Sequence, residues 1–98
     1  MATLRQGSIA AHLNLRDNRI GGAGAESLAG ALGQCIALAH LDLNCNQIGP
    51  DGAESFAGVL GQCACLDHLD LSDNNGIGTA GAERLRASWR GQPSGLVL

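Results

Sequence analysis

The chain repeats itself every 28 residues, and no other feature constrains its fold as strongly. Ala11 to Leu38 and Ala39 to Leu66 align without a gap and are identical at 18 of 28 positions. A third copy starts at Asp67, with one extra residue in Asn74-Asn75-Gly76-Ile77 and another near Trp89. Met1 to Ala10 matches the end of a unit, because Leu4, Gln6 and Ala10 fall 28 residues before Leu32, Gln34 and Leu38. The chain therefore divides into a partial repeat 1–10, repeats 11–38, 39–66 and 67–95, and a strand stub 96–98, all within one domain of 98 residues. A supersecondary unit repeated at fixed period cannot bury its apolar face alone, so the units must stack.

Each unit reads as a strand, a turn and a helix. Leu41 and Leu43 alternate with His40, Asp42 and Asn44, the period of a half-buried strand with leucines inward and polar residues outward. Asn18, Asn46 and Asn74 follow the strands, where a side-chain amide can bond the backbone of a turn. Stacked copies predict a ladder of asparagines inside the fold. Ile20, Ile48 and Ile77 are expected to pack under the turn. Pro50 suits the first turn of a helix, and Asp51 and Glu54 are placed there too, where negative charge is favoured. Ala53, Phe56, Ala57 and Leu60 recur at helical spacing and make one apolar face. Gly30 and Gly58 inside the helices each cost roughly 1 kcal/mol relative to alanine, so these helices depend on stacking. Three units lie near the lower limit for an array.

Repeat two carries the pattern L-x-x-L-x-L-x-x-N-x-I-G as Leu38, Leu41, Leu43, Asn46, Ile48 and Gly49. That pattern is the leucine-rich-repeat signature. The second half of the unit, G-A-E-S-F-A-G-V-L-G-Q-C, is long, helical and rich in alanine and glycine. It resembles the ribonuclease-inhibitor-like class, which includes the repeat regions of NOD-like receptors and of the Ran GTPase-activating protein. The resemblance covers nearly the whole chain. It implies an α/β fold: a short leucine-rich-repeat solenoid, a horseshoe arc with parallel strands on the concave face and helices on the convex face. It implies a protein–protein interaction module, and a sensing or autoinhibitory repeat region if the host is a receptor of the NOD-like type.

Composition narrows the partners. Nine acidic residues against six basic ones, all arginine, give a formal net charge of -3. A net acidic chain without a basic tract is a poor nucleic-acid binder. Phe56 and Trp89 are the only aromatics apart from histidine, too few for a base-stacking platform. No apolar run approaches the ~20 residues of a membrane span, and the first residues lack the apolar core of a secretory signal. Cys35 and Cys63 lie 28 apart as equivalent packing positions, and Cys63-Ala64-Cys65 is not a C-x-x-C motif. Cys45 is placed at the concave rim. The expectation is a reduced, cytoplasmic protein that needs no cofactor.

The outward strand positions form the candidate site. His12, His40 and His68 occupy one repeat position, and strands about 4.8 Å apart would set their rings in a row. Asn14, Asp42 and Asp70 run beside them, followed by Arg16, Asn44 and Ser72, then Asp17, Cys45 and Asp73. This face becomes acidic toward its C-terminal end, so a protein partner presenting a basic segment is the natural complement. Stacking should make the histidine row titrate broadly and low. Three alternatives stand beside partner binding. Stacked histidines with adjacent carboxylates could hold Zn²⁺ or Cu²⁺. The resemblance to the Ran GTPase-activating protein implies a GTPase-regulator-like repeat region. A truncated piece without independent function is the third, with self-association through uncapped ends.

The chain reads as a non-enzyme. It has no phosphate-cradling G-x-x-x-x-G-K-[ST] loop and no G-x-S-x-G elbow. No histidine is positioned to activate a nucleophile, and Asp42 and Asp70 share an open face without an apolar pocket to split their titration. Arg84, Arg86 and Arg90 cluster in the last helix. Arg86 replaces Ala29 and Ala57, and Trp89 replaces Leu32 and Leu60. Trp89 is expected in the core, and Arg84 and Arg90 in solvent.

Overall fold

The computed structural model describes residues 11–33, 38–63, 65–74 and 76–98. The partial repeat 1–10 and Cys35 lie outside the described residues. Three strand–helix units follow one another: β1 (Ala11–Asn14), α1 (Gly21–Leu32), β2 (Leu38–Asp42), α2 (Gly49–Leu60), β3 (His68–Asp70) and α3 (Gly78–Ser88). A short 3-10 turn (Pro93–Gly95) leads into β4 (Leu96–Val97). The four strands form one parallel sheet in sequence order. α1 packs on α2, and α2 on α3. Strands form one layer and helices the other, as the solenoid reading requires.

The register follows the repeat. Leu13, Leu41, Leu69 and Leu96 stand opposite one another across the sheet, and His12, His40 and His68 stand in the row before them. Leu41, Leu43, Leu69 and Leu71 are buried beneath the strands. They meet Ala53, Phe56, Ala57 and Leu60 from α2, all buried, with Ile48 sealing the turn. Small residues on that helix face let helix and sheet approach, and Phe56, fully buried, fills the centre. Burying a side chain of this kind contributes about 2–3 kcal/mol. Ile20 and Ile77 are only partly buried against the core.

Each turn enters its helix through a glycine. Gly21, Gly49 and Gly78 have φ of +69°, +70° and +75°, a region that side chains with a Cβ avoid. The Gly21 N–H donates to the Asn46 carbonyl at 2.8 Å. That bond ties the helix entry to the next unit and uses a donor that a helix start leaves unsatisfied. Asp51 lies in the first turn of α2 beside Pro50, whereas Glu54 lies beyond it. Glu54 faces the neighbouring helix and pairs with Arg84 at 3.4 Å on an exposed surface.

The asparagine ladder is present in two of its three positions. Asn46 is fully buried and Asn74 nearly so. Asn74 Oδ1 accepts the N–H groups of Asn46 (2.8 Å) and Ile48 (3.2 Å), while its Nδ2 donates to the carbonyls of Leu43 and Leu71, each at 2.9 Å. Asn46 serves the first unit in the same way. Asn18 departs from the ladder. It is exposed, and its Nδ2 bonds only the Arg16 carbonyl, at 3.1 Å, among the described residues.

The third unit ends differently from the first two. α3 stops at Trp89, whose extended backbone breaks the helix. Trp89 is partly buried against the core, and its Nε1–H donates to the Gln92 carbonyl at 2.7 Å. Leu85 carries the buried contact of this helix. Arg86 is exposed, and Arg90 reaches back to the Gly61 carbonyl at 2.9 Å.

Candidate partner-binding surface

The parallel strands turn repeat positions into straight columns on the outer face of the sheet. In the first column His12 and His40 stack with ring centroids 3.8 Å apart and planes 18° from parallel. His40 and His68 stack at 4.1 Å and 20°. The expected row of imidazoles is thus a face-to-face pile. Partial burial, and then the charge that His68 and His12 would carry, push the His40 imidazole below the usual histidine value. Asp42 and Asp70 pull the other way without cancelling that effect.

The second column, Asn14, Asp42 and Asp70, does local structural work as well. Each side chain accepts the backbone N–H two residues on: Asn14 Oδ1 from Arg16 at 3.0 Å, Asp42 Oδ1 from Asn44 at 3.1 Å, Asp70 Oδ1 from Ser72 at 2.9 Å. Short polar side chains form such turns readily. Backbone bonds between neighbouring units continue past this point, from Asp17 N–H to the Asn44 carbonyl and from Cys45 N–H to the Ser72 carbonyl. Ser72 Oγ–H also donates to Asp70 Oδ1, at 2.6 Å.

The third column splits in character. Arg16 is 58% exposed, and its Nε lies 3.6 Å from Asp42 Oδ2. Its Nη2 donates to Asn44 Oδ1 at 3.5 Å. Asn44 is only 8% exposed. Its Nδ2 donates to the Ser72 hydroxyl at 2.7 Å and to Asp73 Oδ2 at 3.1 Å. Asn44 therefore holds the strand ends together and offers little surface, while Arg16 and Ser72 border the solvent. Asp17, Cys45 and Asp73 are exposed at the rim with φ of 56°, 59° and 58°. Arg16 turns toward Asp42 and Asn44.

The columns bring together His12, His40, His68, Asn14, Asp42, Asp70, Arg16 and Ser72 on one face, with Asn44 beneath it. The Arg16–Asp42 pair was not foreseen, although 26 residues apart at a 28-residue period places them on adjacent strands. Metal binding gains no support from this geometry. Among the described residues no three His, Cys, Asp or Glu side chains are grouped to hold a metal. No helix among them is long and apolar enough to cross a membrane.

Comparison with known families agrees with this architecture. The model of the Leucine Rich repeat family matches residues 12–29, 34–57 and 62–85. Each match opens close to a strand and ends within the following helix. The chain belongs to the leucine-rich-repeat family. No curated protein matches the chain.

Proposed function

We propose that this leucine-rich-repeat chain binds a protein partner across the concave strand face, and that the partner lays a basic segment along the Asp42–Asp70 column. Leucine-rich repeats generally mediate protein–protein interaction. The observation that carries the reading is the register of the sheet, which lines up equivalent polar side chains from successive strands into one continuous surface. Asp70, with Asp17 and Asp73 at the rim, supplies negative charge beyond the pair that Arg16 makes with Asp42. Opposite charge steers encounter and fixes orientation more than it adds affinity.

Helices of 12, 12 and 11 residues on the outer side support the ribonuclease-inhibitor-like reading of these repeats. Exposed thiols at Cys45 and Cys65 support a reducing, cytoplasmic setting. The test is cross-linking with mass-spectrometric identification, comparing wild type, Asp42→Asn/Asp70→Asn, and a convex-face control, Glu26→Gln/Glu83→Gln. Loss of one defined, basic partner in the concave variant alone supports the reading. Loss in the convex control alone, or equal recovery in all three, overturns it.

A further inference from the structure

We propose that the His12–His40–His68 pile is a proton-operated switch for the concave face, holding the acidic columns available to a basic segment when the rings are neutral and cancelling them when the rings are charged. The release half of this proposal rests on the partner-binding reading above. The titration half stands on the chain alone.

The argument begins from distance. Ring centroids 3.8 and 4.1 Å apart leave no room for solvent between neighbouring imidazoles, so two adjacent imidazolium charges would repel at contact. His40 is the ring that feels this from both sides, since β2 lies between β1 and β3. The groups facing it are His12 from β1, His68 and Asp70 from β3, and Asp42 on its own strand. The Asp42 carboxylate is already engaged by Arg16, from the loop after β1. Asp70 Oδ1 is engaged by Ser72. The carboxylates are thus partly occupied, and the pile is left to share protons among its own members.

A proton on His40 is opposed from both sides when its neighbours are charged, and the protonation steps belong to the column as a coupled set. Two or three positive charges on a face whose value to a partner is its negative charge reverse its preference. Binding of a basic segment at neutral pH must by the same linkage expel protons from the column.

The experiment is a histidine-ring NMR titration of the whole chain from pH 8 to pH 4.5, for wild type and His40→Gln. It is accompanied by binding of a synthetic peptide of alternating arginine and glycine, followed by fluorescence anisotropy at pH 7.5 and pH 5.5. The switch predicts coupled ring curves in wild type with His40 held low, and loss of that coupling in His40→Gln. Peptide affinity should fall by about tenfold on acidification, as three weak surface repulsions would give, and by less in His40→Gln. Three independent curves that His40→Gln leaves unmoved would overturn the switch. Coupled titration with no peptide bound at either pH would instead overturn the basic-segment reading and leave the proton coupling standing. Binding that is equal at both pH values despite coupled titration would overturn the release step. Far-UV circular dichroism of His40→Gln confirms that the variant is folded.

Discussion

Asn74 receives the backbone N–H of Asn46 on its Oδ1 at 2.8 Å, and Asn46 receives that of Asn18 in the same way at 2.8 Å. One side chain per unit therefore closes the turn of the unit before it. The arrangement explains why non-glycine residues sit in the left-handed region at Arg19 (φ 53°) and Gln47 (φ 57°). Such conformations cost on the order of 1–2 kcal/mol each, and bonds from the next unit hold them in place.

Removing a buried rung should expose this dependence. Asn46→Ala takes their Asn46 partner from the Asn18 and Ile20 N–H groups and from the Leu15 carbonyl, while the Leu43 and Asn44 carbonyls keep bonds from Asn74 and Asp17. Leaving several such groups unpaired should cost on the order of 3–5 kcal/mol, a large share of the ~5–15 kcal/mol available to a domain. Asn18→Ala removes one exposed bond to the Arg16 carbonyl and should cost less than about 1 kcal/mol. Urea denaturation of the two variants checks the difference. Equal losses would mean that the ladder carries no special weight.

The same comparison can be made in the core. Phe56 and Leu28 occupy one repeat position, yet Phe56 is fully buried in the middle unit while Leu28 is partly exposed in the first. Phe56→Ala should destabilise by about 3–5 kcal/mol, and Leu28→Ala by about 1–2 kcal/mol. Thermal melts followed by circular dichroism give the ranking. A larger loss for Leu28→Ala would contradict a core centred on the second unit.

What the sequence made legible was whatever repeats. The columns and the leucine register follow from a 28-residue period and need no tertiary detail. What it hid depends on having a neighbour. Asn18 shares the repeat position of Asn46 but is exposed, so the period alone does not fix the burial of a rung. Asn44 reads as an outward strand residue, yet it is buried, its amide held against the next unit by the Ser72 hydroxyl and the Asp73 carboxylate. Glu54 reads as a helix-start charge, but the boundary at Gly49 puts it past the first turn, opposite Arg84. The left-handed φ of Cys45 carries no signal in its residue type, whereas Asp17 and Asp73 are among the types that tolerate it.

Acidification should weaken the fold through His40. Partial burial and the neighbouring imidazoles hold its folded value below the usual one, about 6.5. Between those two values the unfolded chain binds the proton and the folded chain does not, so stability is greatest above the unfolded value and falls as pH drops toward the folded one. His40→Gln cannot titrate there and should show a flatter dependence. Urea midpoints measured from pH 7.5 to pH 5.5, above the range where carboxylates dominate, test this. A steeper fall in the variant than in wild type would reverse the sign and reject the assignment.

The helix glycines offer a test in the stabilising direction. Gly30 and Gly58 lie inside α1 and α2, both exposed, and a Cβ built on either meets nothing within 4 Å. Alanine there removes backbone freedom from the unfolded chain at no steric cost, so Gly58→Ala should add about 0.5–1 kcal/mol. Gly52 lies in the same helix and is buried. A Cβ at Gly52 would collide with Ile48 Cγ2 and come within 2.9 Å of the Ala25 Cβ on the neighbouring helix. The gain in helix propensity is the same at both sites, but at Gly52 the α1–α2 contact must open to accept the methyl group. Gly52→Ala should therefore destabilise while Gly58→Ala stabilises, and paired urea melts show the two signs directly. A stabilising Gly52→Ala would mean that α1 and α2 are not packed as closely as their small residues allow.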